Sequence, residues 1–206
     1  KKIFLPPKNF LLMRYNKCKI KFQEVILLSI LIKNCGIITM SGADSYIPNG
    51  FISIDGDKIK YVGCDMPEYS ENDYIIDGRK TIALPGLINA HTHCSMTLLR
   101  GYGEGLPLMR WLNEKIWPYE AKLNYDDIYK GAMLAILEMI KGGTTCFLDM
   151  YFYEDAVCEA VDAAGIRAVL GSPIIGEKYK TQISDFIKFH DTYDGRLNGR
   201  IKTMIA

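Results

Sequence analysis

Residues 29–40, Ser-Ile-Leu-Ile-Lys-Asn-Cys-Gly-Ile-Ile-Thr-Met, are rich in β-branched side chains and bounded by glycine-containing turns, which predicts a strand. Residues 51–54 and 58–62 alternate apolar with polar positions around Asp55-Gly56-Asp57, a turn signal that joins two strands into a hairpin. Residues 74–77 form a further short strand, so that residues 30–83 read as a small all-β unit.

The pattern changes after Leu84-Pro85-Gly86, where apolar strands begin to alternate with helix-length segments as in a parallel α/β architecture. Residues 86–91 are the first such strand. A long helix is predicted to start near Asn124, whose side chain can cap it, with Asp126 and Asp127 in its positive first turn. Apolar residues recur at Ile128, Met133, Leu134, Leu137 and Ile140, and Lys141-Gly142-Gly143 ends it. Strands then follow at 144–149, 166–171 and 201–206, with helices at 154–164 and 181–190 between them. Gly101-Tyr102-Gly103-Glu104-Gly105 lacks the Lys-Ser/Thr of a phosphate cradle and reads as a flexible loop.

With 206 residues the chain can bury one good core, but a complete (β/α)₈ barrel takes roughly 250. The 25 Lys and Arg against 24 Asp and Glu give no electrostatic reason to expect a nucleic-acid or membrane partner and leave a small neutral substrate as the better fit. Assembly into a homo-oligomer is left open by the sequence. The six cysteines are scattered, without a Cys-x-x-Cys pair, and read as reduced thiols in a cytoplasm. Residues 1–28 carry Lys1, Lys2, Lys8, Arg14, Lys17, Lys19 and Lys21 against the single acid Glu24. Their apolar run continues directly into strand-like sequence, unlike a signal peptide. Gln23-Glu24-Val25 can be encoded by codons containing a ribosome-binding sequence, with a start codon at Leu27 or Leu28. The expectation is therefore that residues 1–28 are a non-native leader.

The candidate chemistry starts at His91 and His93. They are two apart at the end of an apolar strand, so their side chains share a face and both imidazoles can reach one cation. A bare His-x-His arises often by chance, but this pair sits where the strand that opens the α/β portion gives way to its loop. In barrels of parallel strands that end is where active sites lie.

The ordered series Leu84-Pro85-Gly86-Leu87-Ile88-Asn89-Ala90-His91-Thr92-His93, Met96-Thr97-Leu98-Leu99-Arg100-Gly101, Trp111-Leu112, Ile116-Trp117-Pro118-Tyr119-Glu120, Gly142-Gly143-Thr144-Thr145 and Asp149-Met150 resembles the amidohydrolase superfamily. Within it, the series is most similar to the branch of methylthioadenosine and S-adenosylhomocysteine deaminases. The resemblance implies an α/β fold: a partial (β/α)₈ barrel over residues 85–206, preceded by a small β-sandwich portion over residues 29–84. It implies that His91 and His93 bind one divalent metal, zinc or alternatively iron, with the remaining ligands and a proton-shuttling Glu on later strands beyond Ala206. It also implies that the metal activates water, lowering its pKa toward ~7, for attack on an aromatic C–N carbon. Glu120 matches the family Glu that accepts hydrogen bonds from the ribose hydroxyls of an adenosine-type substrate. No proton-transferring catalytic residue is expected within residues 1–206. The chain departs from the family in one place, carrying Ser172-Pro173 after the third barrel strand where many such deaminases have an Arg.

Other residues receive plainer expectations. Trp111, Trp117 and Cys94 are expected to pack, Asp149 to orient neighbours by hydrogen bonding, and His190 to be exposed. Two further readings stand beside the deaminase. One is another amidohydrolase, a guanine, cytosine or triazine-type C–N or C–Cl hydrolase. The other is a non-catalytic truncated chain, expected by itself neither to bind metal tightly nor to turn over substrate.

Overall fold

A computed structural model describes residues 29–42, 45–71 and 73–206; the expected leader at 1–28 lies outside the described residues. The chain divides into two compact units, one ending at Pro85 and the other spanning Gly86–Ala206.

In the first unit β1 (Ile30–Ile38) lies inside a sheet ordered β3-β2-β1-β4. It pairs antiparallel with β2 (Tyr46–Asp55), which pairs antiparallel with β3 (Lys58–Gly63) across the predicted turn. On its other edge β1 pairs in parallel with β4 (Tyr74–Asp77) and β5 (Ile82–Ala83). Ile32, Cys35, Ile37, Ile52 and Ile54 form the core of the unit. Among the described residues these five strands make one sheet. β2 begins earlier than the alternating pattern predicts, and it includes Pro48, which has no N–H to donate. The position is tolerated because, among the described residues, β3 pairs only with Phe51–Asp55 and leaves that edge of the strand around Pro48 unpaired.

The second unit is built on a parallel sheet ordered β6-β7-β8-β9, comprising Leu87–Thr92, Thr144–Met150, Arg167–Ser172 and Ile201–Ile205. Its core gathers Ile128, Ala132 and Ile136 from the long helix, Phe147 and Leu170 from the sheet, and Val157 and Val161 from the next helix. Two short helices, α1 (Leu108–Trp111) and α2 (Trp117–Glu120), flank a π-type turn, and α3 (Tyr125–Gly142) follows. Asn124 caps α3 as its sequence predicts. Its side chain accepts from the N–H groups of Asp126 and Asp127 while Asp127 accepts from the N–H of Asn124, which satisfies orphan donors from both sides. Gly143 ends the helix at φ 98°, a conformation that favours glycine.

α4 (Glu154–Ala164) and α5 (Tyr179–Tyr193) complete the alternation, α5 extending beyond the predicted 181–190 at both ends. Among the described residues no helix is long and apolar enough to cross a membrane. Cys35, Cys64, Cys94, Cys146 and Cys158 are free thiols.

Candidate metal and substrate site

The carboxyl end of β6 is fixed by contacts to β7 and α3. The single hydroxyl hydrogen of Thr92 is shared between the carbonyl of Leu148, 2.6 Å from Oγ1, and Asp149 Oδ1, at 2.8 Å. Directly after the strand the chain turns through a 3₁₀ helix, Cys94–Leu99, that rests on α3. Ser95 Oγ donates to the Ile128 carbonyl at 2.9 Å and Thr97 Oγ1 to the Gly131 carbonyl at 2.8 Å. A side chain at Gly131 would put a Cβ 2.5 Å from the Ser95 carbonyl oxygen, so only glycine lets α3 approach this turn so closely.

His91 and His93 emerge from that fixed end with ring centroids 5.3 Å apart, edge to face. Ring nitrogen Nδ1 of His93 lies 2.8 Å from the Met150 carbonyl oxygen. A carbonyl only accepts, so Nδ1 carries the hydrogen, and the lone pair of the neutral ring is on Nε2. Hydrogen bonding through one ring nitrogen is how metal-binding histidines are commonly oriented. The side chain of His91 is exposed. Two imidazoles sharing a face are suitable donors for a borderline divalent ion such as zinc. Among the described residues no group of three or more His, Cys, Asp or Glu side chains that could hold a metal ion gathers around one point.

Beneath the pair lie two buried carboxyl groups. Asp149, 1% exposed, accepts from Thr92 Oγ1, from the Cys94 N–H at 2.8 Å and from Cys94 Sγ at 2.8 Å. Cys94 is therefore buried as expected but hydrogen-bonded as well as packed. Burial pushes the carboxyl of Asp149 up from the usual range, and the hydrogen bonds from Cys94 and Thr92 hold it back. Glu154, 3% exposed, accepts the Tyr151 N–H on Oε1 at 2.7 Å, while its Oε2 has no hydrogen-bond partner. Burial first, then the charge of Asp149, raise the carboxyl of Glu154 well above the usual carboxylate range, and the Tyr151 N–H bond holds it back.

Tyr151 links the imidazoles to Glu120. Its ring lies 6.4 Å from that of His93, and its hydroxyl donates to Glu120 Oε1 at 2.6 Å. Burial, then the bond to Glu120, raise the Tyr151 hydroxyl above its ordinary value and keep it a donor. Glu120, half-buried at the end of α2, lines a cavity of about 610 Å³ together with Trp117, Tyr151, Phe152, Ser172 and Asp185. Trp117, expected to pack, instead stands in the cavity wall with 47% of its surface exposed. Trp111 holds the glycine-rich loop through an Nε1–H bond to the Tyr102 carbonyl at 2.9 Å. His190 is exposed as expected, with Nδ1 2.6 Å from Thr203 Oγ1. Sequence reasoning did not single out Tyr151 or Glu154. The acid's position in the first turn of a predicted helix was the one available signal.

Residues 82–206 match the amidohydrolase family, and the chain belongs to it. It is 50% identical over 174 residues to a 5-methylthioadenosine/S-adenosylhomocysteine deaminase of Syntrophomonas wolfei, a match covering 84% of this chain and 40% of that relative. A 5'-deoxyadenosine deaminase of Methanosarcina barkeri is 44% identical over 179 residues, covering 85% of this chain and 41% of its own. Among solved structures, an adenosine deaminase from Xanthomonas campestris with bound zinc superposes with a TM-score of 0.70 at 30% identity, covering 86% of this chain and 42% of that one. An atrazine chlorohydrolase from Arthrobacter aurescens TC1 complexed with zinc superposes with a TM-score of 0.74 at 27% identity, covering 85% and 46%. The chain thus spans less than half the length of these relatives.

Proposed function

We propose that this chain is the metal- and substrate-binding first half of a hydrolytic deaminase of adenosine-type thioethers, 5'-methylthioadenosine and S-adenosylhomocysteine, that releases ammonia. The observation that carries the proposal is the juxtaposition of His91 and His93 with Tyr151 and the Glu120-bearing cavity at the carboxyl end of a parallel sheet. In this reading the four parallel strands β6 to β9 open a (β/α)₈ barrel over residues 85–206. Residues 29–84 contribute one sheet of a small β-sandwich. The similarity to deaminases of this substrate class supports the choice of reaction. The zinc in the structurally similar proteins supports zinc as the single metal, with iron the alternative. A cytoplasmic enzyme acting on a small neutral substrate is consistent with the free thiols and the balanced charge.

When bound, the ion supplies Lewis acidity toward water at neutral pH. His93 presents Nε2 in a direction set by the Met150 carbonyl, and His91 approaches from the same strand face. Tyr151 occupies Oε1 of Glu120, which orients the carboxylate and leaves Oε2 to accept a sugar hydroxyl. Trp117 and Phe152 offer apolar walls to a purine base.

Ammonia release by the full-length gene product, measured over a panel of nucleosides, purines, pyrimidines and triazines, tests the proposal. The highest kcat/KM is expected on adenosine-type thioethers, with activity abolished by chelation and restored by zinc. A second reading, a guanine, cytosine or triazine-type hydrolase, draws on the structural similarity to the atrazine enzyme and on Ser172 and Pro173 lining the cavity. A preference for those substrates would replace the first reading with the second.

A further inference from the structure

We infer that Asp149 is a positioning residue for the metal-binding pair: its carboxylate holds the residues on both sides of His93 and thereby sets where the two imidazoles point. The inference rests on the reading of His91 and His93 as metal ligands. The β6–β7 ladder is irregular between Asn89 and Thr92, so regular backbone pairing does not fix the stretch that carries His91. The Asp149 carboxylate takes over beyond that break. Oδ1 accepts from the Thr92 hydroxyl and from the Cys94 backbone N–H, each at 2.8 Å, and Oδ2 accepts from the Cys94 thiol, also at 2.8 Å. Thr92 and Cys94 are the two chain neighbours of His93, which is itself tied by Nδ1 to the residue after Asp149.

A carboxyl group that is 1% exposed is a poor choice for filling space, because removing it from water is unfavourable unless every oxygen is used. Here both oxygens are used, and all the donors come from the segment that presents the histidines. Hydrogen bonds made directly to metal ligands are typically worth about 10- to 100-fold in metal affinity. A carboxylate that holds the residues flanking a ligand acts on the same orientation from one residue further away, which places its expected effect at the lower end, about 10-fold.

The test is zinc affinity of the full-length gene product, read by competition with a chromophoric chelator, together with the visible spectrum of the cobalt(II)-loaded protein. Asp149→Ala is expected to weaken zinc binding about 10-fold. Asp149→Asn keeps an oxygen that can accept from Thr92 and Cys94, and should recover affinity to within a few-fold of wild type. Thr92→Val removes one of the three donors, together with its bond to the Leu148 carbonyl, and should fall between them, with shifted cobalt bands. Ile136→Ala, which loosens the same core but makes none of the hydrogen bonds around Asp149, should lose stability but keep the wild-type zinc affinity and cobalt spectrum. If Asp149→Ala does not fold, Thr92→Val and Asp149→Asn decide the question. The inference is overturned if Thr92→Val and every foldable Asp149 variant bind zinc as wild type does while His93→Ala loses it. It is also overturned if Ile136→Ala lowers zinc affinity as much as the Asp149 variants do. Retention of zinc by His93→Ala would overturn the metal-ligand reading together with this inference.

Discussion

Among the described residues the first unit buries only glycines, apolar side chains and the thiol of Cys35, whereas the second unit also buries Ser95, Asp149 and Glu154. All three lie at or just beyond the carboxyl ends of β6 and β7. Apolar burial is sufficient to hold a small sheet together. A buried polar group is unfavourable unless it is paired, so its presence marks a place where position matters more than stability. The contrast separates a unit that is only packed from a unit that is packed around a site.

The largest effect that can test this contrast is in the first sheet. Ile52→Ala should destabilise the protein by about 2–5 kcal/mol, measured by denaturant unfolding, and leave zinc affinity unchanged. A fall in zinc affinity would break the division between the two regions. In the second unit, Glu120→Ala should lower kcat/KM on an adenosine-type thioether by about 10- to 100-fold, as loss of a hydrogen bond to a charged group typically costs about 1.5–3 kcal/mol. Tyr151→Phe removes only the hydroxyl that orients Glu120. A several-fold rise in KM with kcat retained is expected, corresponding to about 1 kcal/mol.

The smallest effect is a pH slope. Glu154 has a raised carboxyl pKa when folded, so its contribution to stability is full below the unfolded value of about 4.3 and is lost as pH rises through the folded value. Glu154→Gln keeps an oxygen for the Tyr151 N–H and cannot ionise. Thermal unfolding of the variant should therefore lose less stability than wild type as pH is raised from about 4 toward neutrality. Parallel slopes would show that Glu154 is ionised in the folded protein.

The strands of the second unit and the helix α3 were legible in the sequence because their signals are local: apolar runs between turn residues, and Asn124, Asp127 and Gly143 at the helix ends. The nearness of His91 and His93 was legible for the same reason, since a spacing of two at a strand end brings neighbouring rings close, here 5.3 Å between centroids. What was not legible is long-range. Asp149 was expected to orient neighbours by hydrogen bonding, but not that they are Thr92 and Cys94, 55 to 57 positions away, and the meeting of Tyr151 with Glu120 across 31 positions was not foreseen. Both depend on register, which periodicity does not encode. The short helices between Leu108 and Glu120 were missed because a π-type turn and Pro118 interrupt the apolar repeat there. The early start of β2 was missed because Pro48-Asn49-Gly50 carries the composition of a turn.

The proposed function requires His91, in β6, and His93, directly after it, to hold the ion that drives hydrolysis. Its most direct test is zinc content and ammonia release, measured together on the full-length gene product and its His91→Ala/His93→Ala double variant. The account predicts that the double variant folds, loses its zinc and releases ammonia at least about 10³-fold more slowly, as expected for removing several kcal/mol of Lewis-acid assistance. A double variant that retains stoichiometric zinc and wild-type turnover would contradict it.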